Sequence, residues 1–207
     1  MPRVGRLIVV EGLDGSGKST FVRALCAALD AIPMATPDGG LKSARLVLDS
    51  AYRDHPVAEQ LFYASSVVHG SSMARGHIAS GRDVVMDRYW ASTVVYAGLR
   101  AASVSLESVE RALLPADVTF WLDVPEAVRL GRLNARAAGG EALTHADLQT
   151  MAPTRAEELR QRFLATLRGP LHGRVVATGG DVAAAVSALG AGAGRTEAGD
   201  QPEGARP

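Results

Sequence analysis

The sequence predicts a three-layer α/β fold, a doubly wound parallel sheet of five strands with helices on both faces. Three observations carry that prediction. Five short apolar runs lack strict alternation, the pattern of strands covered on both sides. Segments of helical period separate them, so each strand returns by a right-handed crossover. A glycine-rich loop joins the first run to the first helical segment, and ligands of such sheets sit outside the carboxyl ends of the strands.

The elements follow in order. The first strand, 6–11, is carried by Leu7-Ile8-Val9-Val10, and Phe21, Leu25, Leu29 and Ile32 set a helix over 18–31. A second strand is expected at 32–36 and a helix at 41–51. Pro56 suits the first turn of a helix over 56–79, and Gly81 suits its stop before a third strand at 83–87. Helices at 91–101 and 105–113 lead to a fourth strand at 117–123. Helices at 126–136, 145–151 and 153–168 precede a fifth strand at 173–177 and a last helix at 181–189. Residues 1–189 read as a single domain with a mobile lid around 136–150. Residues 190–207 lack apolar periodicity and are rich in Gly, Ala and charge, which predicts a disordered tail. No internal repeat is present.

Composition narrows the function classes. Lys plus Arg and Asp plus Glu are 22 each, so no global basic field suggests nucleic acid or an anionic membrane. Cys26 is the only cysteine, which suits a reducing compartment and excludes a multi-cysteine metal site. The opening residues are too short for a signal-peptide core, and no run approaches a membrane span. The expected location is cytoplasmic.

The chemistry starts at GLDGSGKST, Gly12 to Thr20, which fits G-x-x-x-x-G-K-[ST] at Gly12, Gly17, Lys18 and Ser19. Glycines let backbone N–H groups wrap phosphate oxygens, and the following helix offers its positive end. Asp14, Gly15, Ser16 and Thr20 complete the candidate ATP-binding loop. Lys18 is expected to reach the β- and γ-phosphates, and Ser19 to hold Mg²⁺. Asp87 ends the third strand opposite this loop and suits Mg²⁺ coordination. Arg88 follows, and its planar fork matches phosphate. Arg129, Arg132 and Arg136 share one helical face before the flexible Ala137-Ala138-Gly139-Gly140. No basic residue occurs among Leu13 to Ser16, so lid arginines, Arg132 and Arg136 above all, are expected to supply the cations of phosphoryl transfer.

EGLDGSGKST together with DRYWASTVVYA, and PADVTFWLDVPEAVRLGRLNAR over Pro115 to Arg136, resembles the thymidylate kinase family. The resemblance runs in order through roughly residues 5 to 190. DRYW-x-ST-x-x-YA and FYAS also look like the mitochondrial-type UMP-CMP kinase branch. The resemblance implies the P-loop NTPase fold of nucleoside monophosphate kinases. It also implies transfer of the ATP γ-phosphate to a nucleoside 5′-monophosphate with Mg²⁺, and a homodimer. By matched position it places Asp14 at the acceptor sugar or its metal and Arg45 on the acceptor phosphate. Phe62 would stack on the acceptor base, Arg88 would lie between the two phosphates, and Tyr89 and Tyr96 would stand beside the acceptor.

The chain departs from the family at two places. Thr36-Pro37-Asp38-Gly39-Gly40 lacks the Arg and Glu of the usual Thr-Arg-Glu-Pro-Gly segment. Ser65 and Ser66 stand where an Asp-Arg pair usually addresses the thymine. A hydroxyl both donates and accepts, so relaxed pyrimidine use is expected, with CMP, UMP or dCMP competing with dTMP. A deoxynucleoside or other small-molecule kinase and a nucleotide switch remain alternatives. The absence of Asn-Lys-x-Asp counts against a guanine switch.

Overall fold

The computed structural model describes residues 4–52, 54–140, 143 and 145–190. The expected tail at 191–207 and positions 141, 142 and 144 of the expected lid lie outside them. Five strands form one sheet: β1 (Leu7–Gly12), β2 (Ile32–Ala35), β3 (Val84–Asp87), β4 (Val118–Leu122) and β5 (Arg174–Thr178). Their order is β2-β3-β1-β4-β5, and every pairing is parallel. The helices are α1 (Lys18–Leu29), α2 (Gly39–Ala51), α3 (Pro56–Ala79), α4 (Trp90–Leu99), α5 (Glu107–Ala112), α6 (Glu126–Ala138), α7 (His145–Thr150), α8 (Pro153–Thr166) and α9 (Val182–Gly190). A 3-10 turn at Pro170–His172, which the sequence reading lacked, precedes β5. Gly190, assigned above to the tail, closes α9 instead.

Alternation within β1 divides the core. Ile8 and Val10 pack with Phe21, Leu25, Val85 and Phe120 on one face of the sheet, under α1 and α9. Leu7 and Val9 pack with Val67, Val84, Met86 and Trp90 on the other, under α3 and α4. Both sets of β1 residues are fully buried, which is why the strand reads as continuous apolar sequence. Burial of each such side chain contributes about 1.5–3 kcal/mol. A third cluster joins α4 to α8 through Tyr96, Trp121, Leu159 and Phe163. Asp83 accepts from the Arg6 amide and Asp117 from the Leu7 amide, which ties down the end of the sheet opposite the phosphate loop. No helix among the described residues is long and apolar enough to cross a membrane.

Candidate active site

The loop leaving β1 turns sharply because Gly15 and Gly17 adopt left-handed backbone, φ 82° and 98°. A Cβ at Gly17 would lie 2.9 Å from Arg132 Nη1, so a side chain there would displace the arginine. Lys18 opens α1 and is buried, with Nζ donating to Leu13 O at 2.9 Å. Burial and the Arg88 charge bring its ammonium down to about 8, against the opposing pull of Asp14, Asp87 and Glu11. Ser19 Oγ donates to Asp87 Oδ2 at 2.9 Å, while Asp87 Oδ1 is buried without a hydrogen-bond partner.

Arg88 sits where the chain leaves β3, with φ at 67°. Left-handed backbone costs a non-glycine residue roughly 1–2 kcal/mol. Neighbouring hydrogen bonds hold the turn. The Arg88 amide donates to Val10 O at 3.0 Å, and Thr36 Oγ1 donates to Arg88 O at 2.9 Å. Glu11, a carboxylate inside the otherwise apolar β1, accepts from the amides of Tyr89 and Ser92 at 2.9 and 3.1 Å, and from Ser92 Oγ at 2.6 Å. It thereby caps α4 from the neighbouring strand. Burial raises the Glu11 carboxyl above its ordinary value despite those donors and Arg88.

The result is a compact charged cluster. Arg88 pairs with Asp14 and donates to Ser92 Oγ at 3.2 Å. Its guanidinium lies 5.5 Å from the centre of the Tyr96 ring, and Tyr96 Oη donates to Asp14 Oδ2 at 3.0 Å. Burial pushes the Asp14 carboxyl up, but Arg88, Lys18, Tyr96 and Arg45 together hold it at about 2. Burial and Asp14 raise the Tyr96 hydroxyl.

The three arginines of α6 do different things. Arg129 is buried and donates to Asp14 O at 3.3 Å and to Thr150 O, so it ties the loop to α6 and α7. Arg132 Nη1 donates to Ser16 O at 2.6 Å. Arg136 pairs with the buried Asp147 of α7 at 2.8 Å. A cleft of about 770 Å³ brings Asp14, Gly15, Gly17, Lys18, Ser19, Thr20, Arg45, Asp87, Arg88, Tyr96, Arg132 and Arg136 together. Ser66, Thr93, Arg100 and Asp147 also line it. A separate cavity of about 430 Å³ lies behind the loop, against Ser16, Trp121, Pro153 and Arg160, away from Lys18 and Arg88.

Four expected site residues stand elsewhere. Phe62 is half-buried and off the cleft wall. Tyr63 lines the cleft instead, because adjacent residues on a helix point about 100° apart and the face of α3 toward the cleft runs through Tyr63 and Ser66. Tyr89 is fully buried on the α3 side of the sheet, and its hydroxyl donates to Leu114 O at 3.0 Å. It follows Arg88 across the turn, so its side chain goes into the core under the sheet while that of Arg88 goes into the cleft. Gly12 and Ser16 form the inner wall of the loop: a Cβ on Gly12 would meet Ser16 Oγ at 2.8 Å, and neither residue lines the cleft. Glu11, Gln60, Tyr63, Arg100 and Asp147 were not singled out from sequence. Only Glu11 carried a signal, a carboxylate in a run of buried apolar residues.

The thymidylate kinase family model matches residues 10–175. This chain belongs to the thymidylate kinase family. Among curated relatives, the thymidylate kinase of Dinoroseobacter shibae is 36% identical over 171 residues, covering 75% of this chain and 82% of the relative. That of Nostoc punctiforme is 32% identical over 165 residues, covering 72% and 76%. The thymidylate kinase structure from Candida albicans superimposes with a TM-score of 0.63 at 19% identity, covering 90% of this chain and 91% of that one. As a thymidylate kinase family member the chain is an ATP-dependent nucleoside monophosphate kinase, and its five-stranded parallel sheet is the fold of that P-loop class.

Proposed function

We propose that the enzyme transfers the γ-phosphate of ATP to the 5′-phosphate of a pyrimidine deoxynucleoside monophosphate, with dTMP as acceptor. The observation that carries this reading is the Asp14–Arg88–Tyr96 cluster standing between the phosphate loop and the α3–α4 wall in one cleft. The loop amides and Lys18 hold the donor phosphates. Arg88 and Arg45 hold the acceptor phosphate, and Arg132 and Arg136 close over the transferring group. Asp14 keeps Arg88 oriented and meets the acceptor. Asp87 and Ser19 fit Mg²⁺, since the orphaned buried Oδ1 of Asp87 lacks the partner that an ion would provide. When bound, Mg²⁺ neutralises charge developing on the phosphate oxygens.

The segment 136–150 acts as a lid that folds over the phosphates, with residues 1–189 as one domain. Two chains pair through α3, and the enzyme works in the cytoplasm. CMP, UMP and dCMP compete as acceptors to the extent that the base end of the cleft fails to read the ring edge. The test is release of ADP from ATP and Mg²⁺ with dTMP, dCMP, CMP, UMP, dGMP and AMP in parallel. Lys18→Ala and Arg88→Ala are expected to lose roughly 10²- to 10⁴-fold in turnover with the fold intact. Asp87→Asn is expected to raise the Mg²⁺ concentration needed. Near-wild-type turnover in either alanine variant, or efficient AMP turnover, overturns the assignment.

A further inference from the structure

α4 runs from the phosphate end of the cleft toward its far end, and a ruler of side chains follows it, from Arg88 just before the helix to Arg100 at its C-cap. Arg88, Ser92, Tyr96 and Arg100 recur every four residues, and all four line the cleft. The Arg88 guanidinium reaches the level of Ser92, to which it donates. Arg100 lies two turns further, about 12 Å of helical rise. That span is the scale of a nucleoside monophosphate from phosphorus to the far edge of its base.

The far end is built around Arg100. Nη2 donates to Gln60 Oε1 at 2.8 Å, and Gln60 is buried with its own amide nitrogen donating to Thr93 O at 3.0 Å. Glu59 lies 3.5 Å from Nη1, and the guanidinium carbon sits 4.7 Å from the centre of the Tyr63 ring. The side chain is thus fixed by a buried amide, a carboxylate and an aromatic face. The serines of α3 do not compete for this task as donors. Ser65 Oγ donates to Phe62 O and Ser66 Oγ to Tyr63 O, both at 2.8 Å.

We infer that Arg100 is a specificity-determining residue that reads the C4 substituent of the acceptor pyrimidine. This rests on the acceptor reading proposed above. In a pyrimidine nucleotide C4 lies across the ring from the glycosidic nitrogen, so it is the edge furthest from the phosphate, as Arg100, the C-cap of α4, is the last cleft residue along that helix from Arg88. Arginine only donates hydrogen bonds. A 4-keto ring offers an oxygen acceptor there, and a 4-amino ring sets donor against donor. The cleft then selects dTMP over dCMP although both serine hydroxyls are turned back into α3.

The test is kcat/KM for dTMP and dCMP in wild type, Arg100→Met and Arg100→Lys, with KM for ATP and thermal unfolding measured alongside. Methionine keeps the length and removes every donor. The dTMP-to-dCMP ratio is expected to fall about 10- to 100-fold in Arg100→Met, with KM for ATP near wild type. Arg100→Lys keeps a charge without the planar fork, and its ratio is expected to fall less, in the same direction. It decides the matter if the methionine variant does not fold. An unchanged ratio in the folded variants overturns the role of Arg100 alone. A wild type that turns over neither pyrimidine overturns the acceptor reading, and the role of Arg100 with it.

Discussion

Lys18 shows how much a single position owes to its surroundings. It is a lysine by the demand of the loop motif, and it is buried, so its charge is costly before any phosphate arrives. With its ammonium brought down to about 8 by burial and Arg88, a growing fraction of free enzyme carries neutral lysine above that pH. The protonated form is the one that attracts triphosphate. kcat/KM for ATP is therefore expected to be flat near pH 7 and to fall above about pH 8, approaching tenfold per unit. Bound phosphates favour the charged form, so kcat at saturating ATP turns down at higher pH. A pH–rate profile measures both limbs, and coincident limbs would show that Lys18 does not govern them.

At the scale of elements, the site depends on how β1, β3 and α4 meet. The DR pair was legible in sequence, but Arg88 aims into the cleft because its turn is held in left-handed backbone. Glu11 of β1 holds the other side of that turn by accepting from the first amides of α4. Glu11→Gln keeps the shape and one acceptor oxygen but loses the charge. Stability is expected to fall by about 1–3 kcal/mol. Turnover is expected to fall further than KM for ATP changes, because the loop itself is untouched. Urea unfolding and steady-state kinetics on the one variant check this, and unaltered turnover removes Glu11 from the support of Arg88. α6 makes the same point: Arg129, Arg132 and Arg136 share a face in sequence, yet Arg129 is a buried tie and Arg136 rests on Asp147.

For the whole molecule, two expectations follow from burial. His172 is buried in the turn before β5, and burial alone brings its imidazole down to about 4. The unfolded chain binds that proton near pH 6.5 and the folded chain does not, so between about pH 6.5 and 4 the unfolded state holds more protons. The His172 contribution is complete above pH 6.5, and on the order of 3 kcal/mol is lost as pH falls toward 4. Urea unfolding at pH 7 and pH 5 is expected to show about 2 kcal/mol of this loss in wild type and less of it in His172→Gln; equal losses would assign it elsewhere. The second expectation concerns association. Val57, Leu61 and Val68 are 39%, 48% and 40% exposed and fall in one stripe of α3. An apolar stripe on a surface helix suits a second copy. Sedimentation velocity at micromolar concentration is expected to return a two-chain mass, and Leu61→Glu a single-chain mass. A wild-type monomer would dismiss the pairing.

By itself the sequence determined the order and type of the elements, the phosphate loop, the strand-end Asp87-Arg88 pair and the family. These are local signals: a side-chain period reports which faces are buried, and the loop motif must be contiguous to wrap a phosphate. Only the tertiary structure decided which neighbouring side chains face the cleft. Phe62 and Tyr63 are equally aromatic and adjacent, but their helix is rotated so that Tyr63 lines the wall. Tyr89 reads like a site residue beside Arg88, yet the turn sends it into the core. Arg100 has no motif at all; it belongs to the cleft because α4 ends where Gln60 and Tyr63 of α3 pass, forty and thirty-seven positions away in the chain. Such placements depend on helix rotation and on contacts between distant segments, and packing sets both.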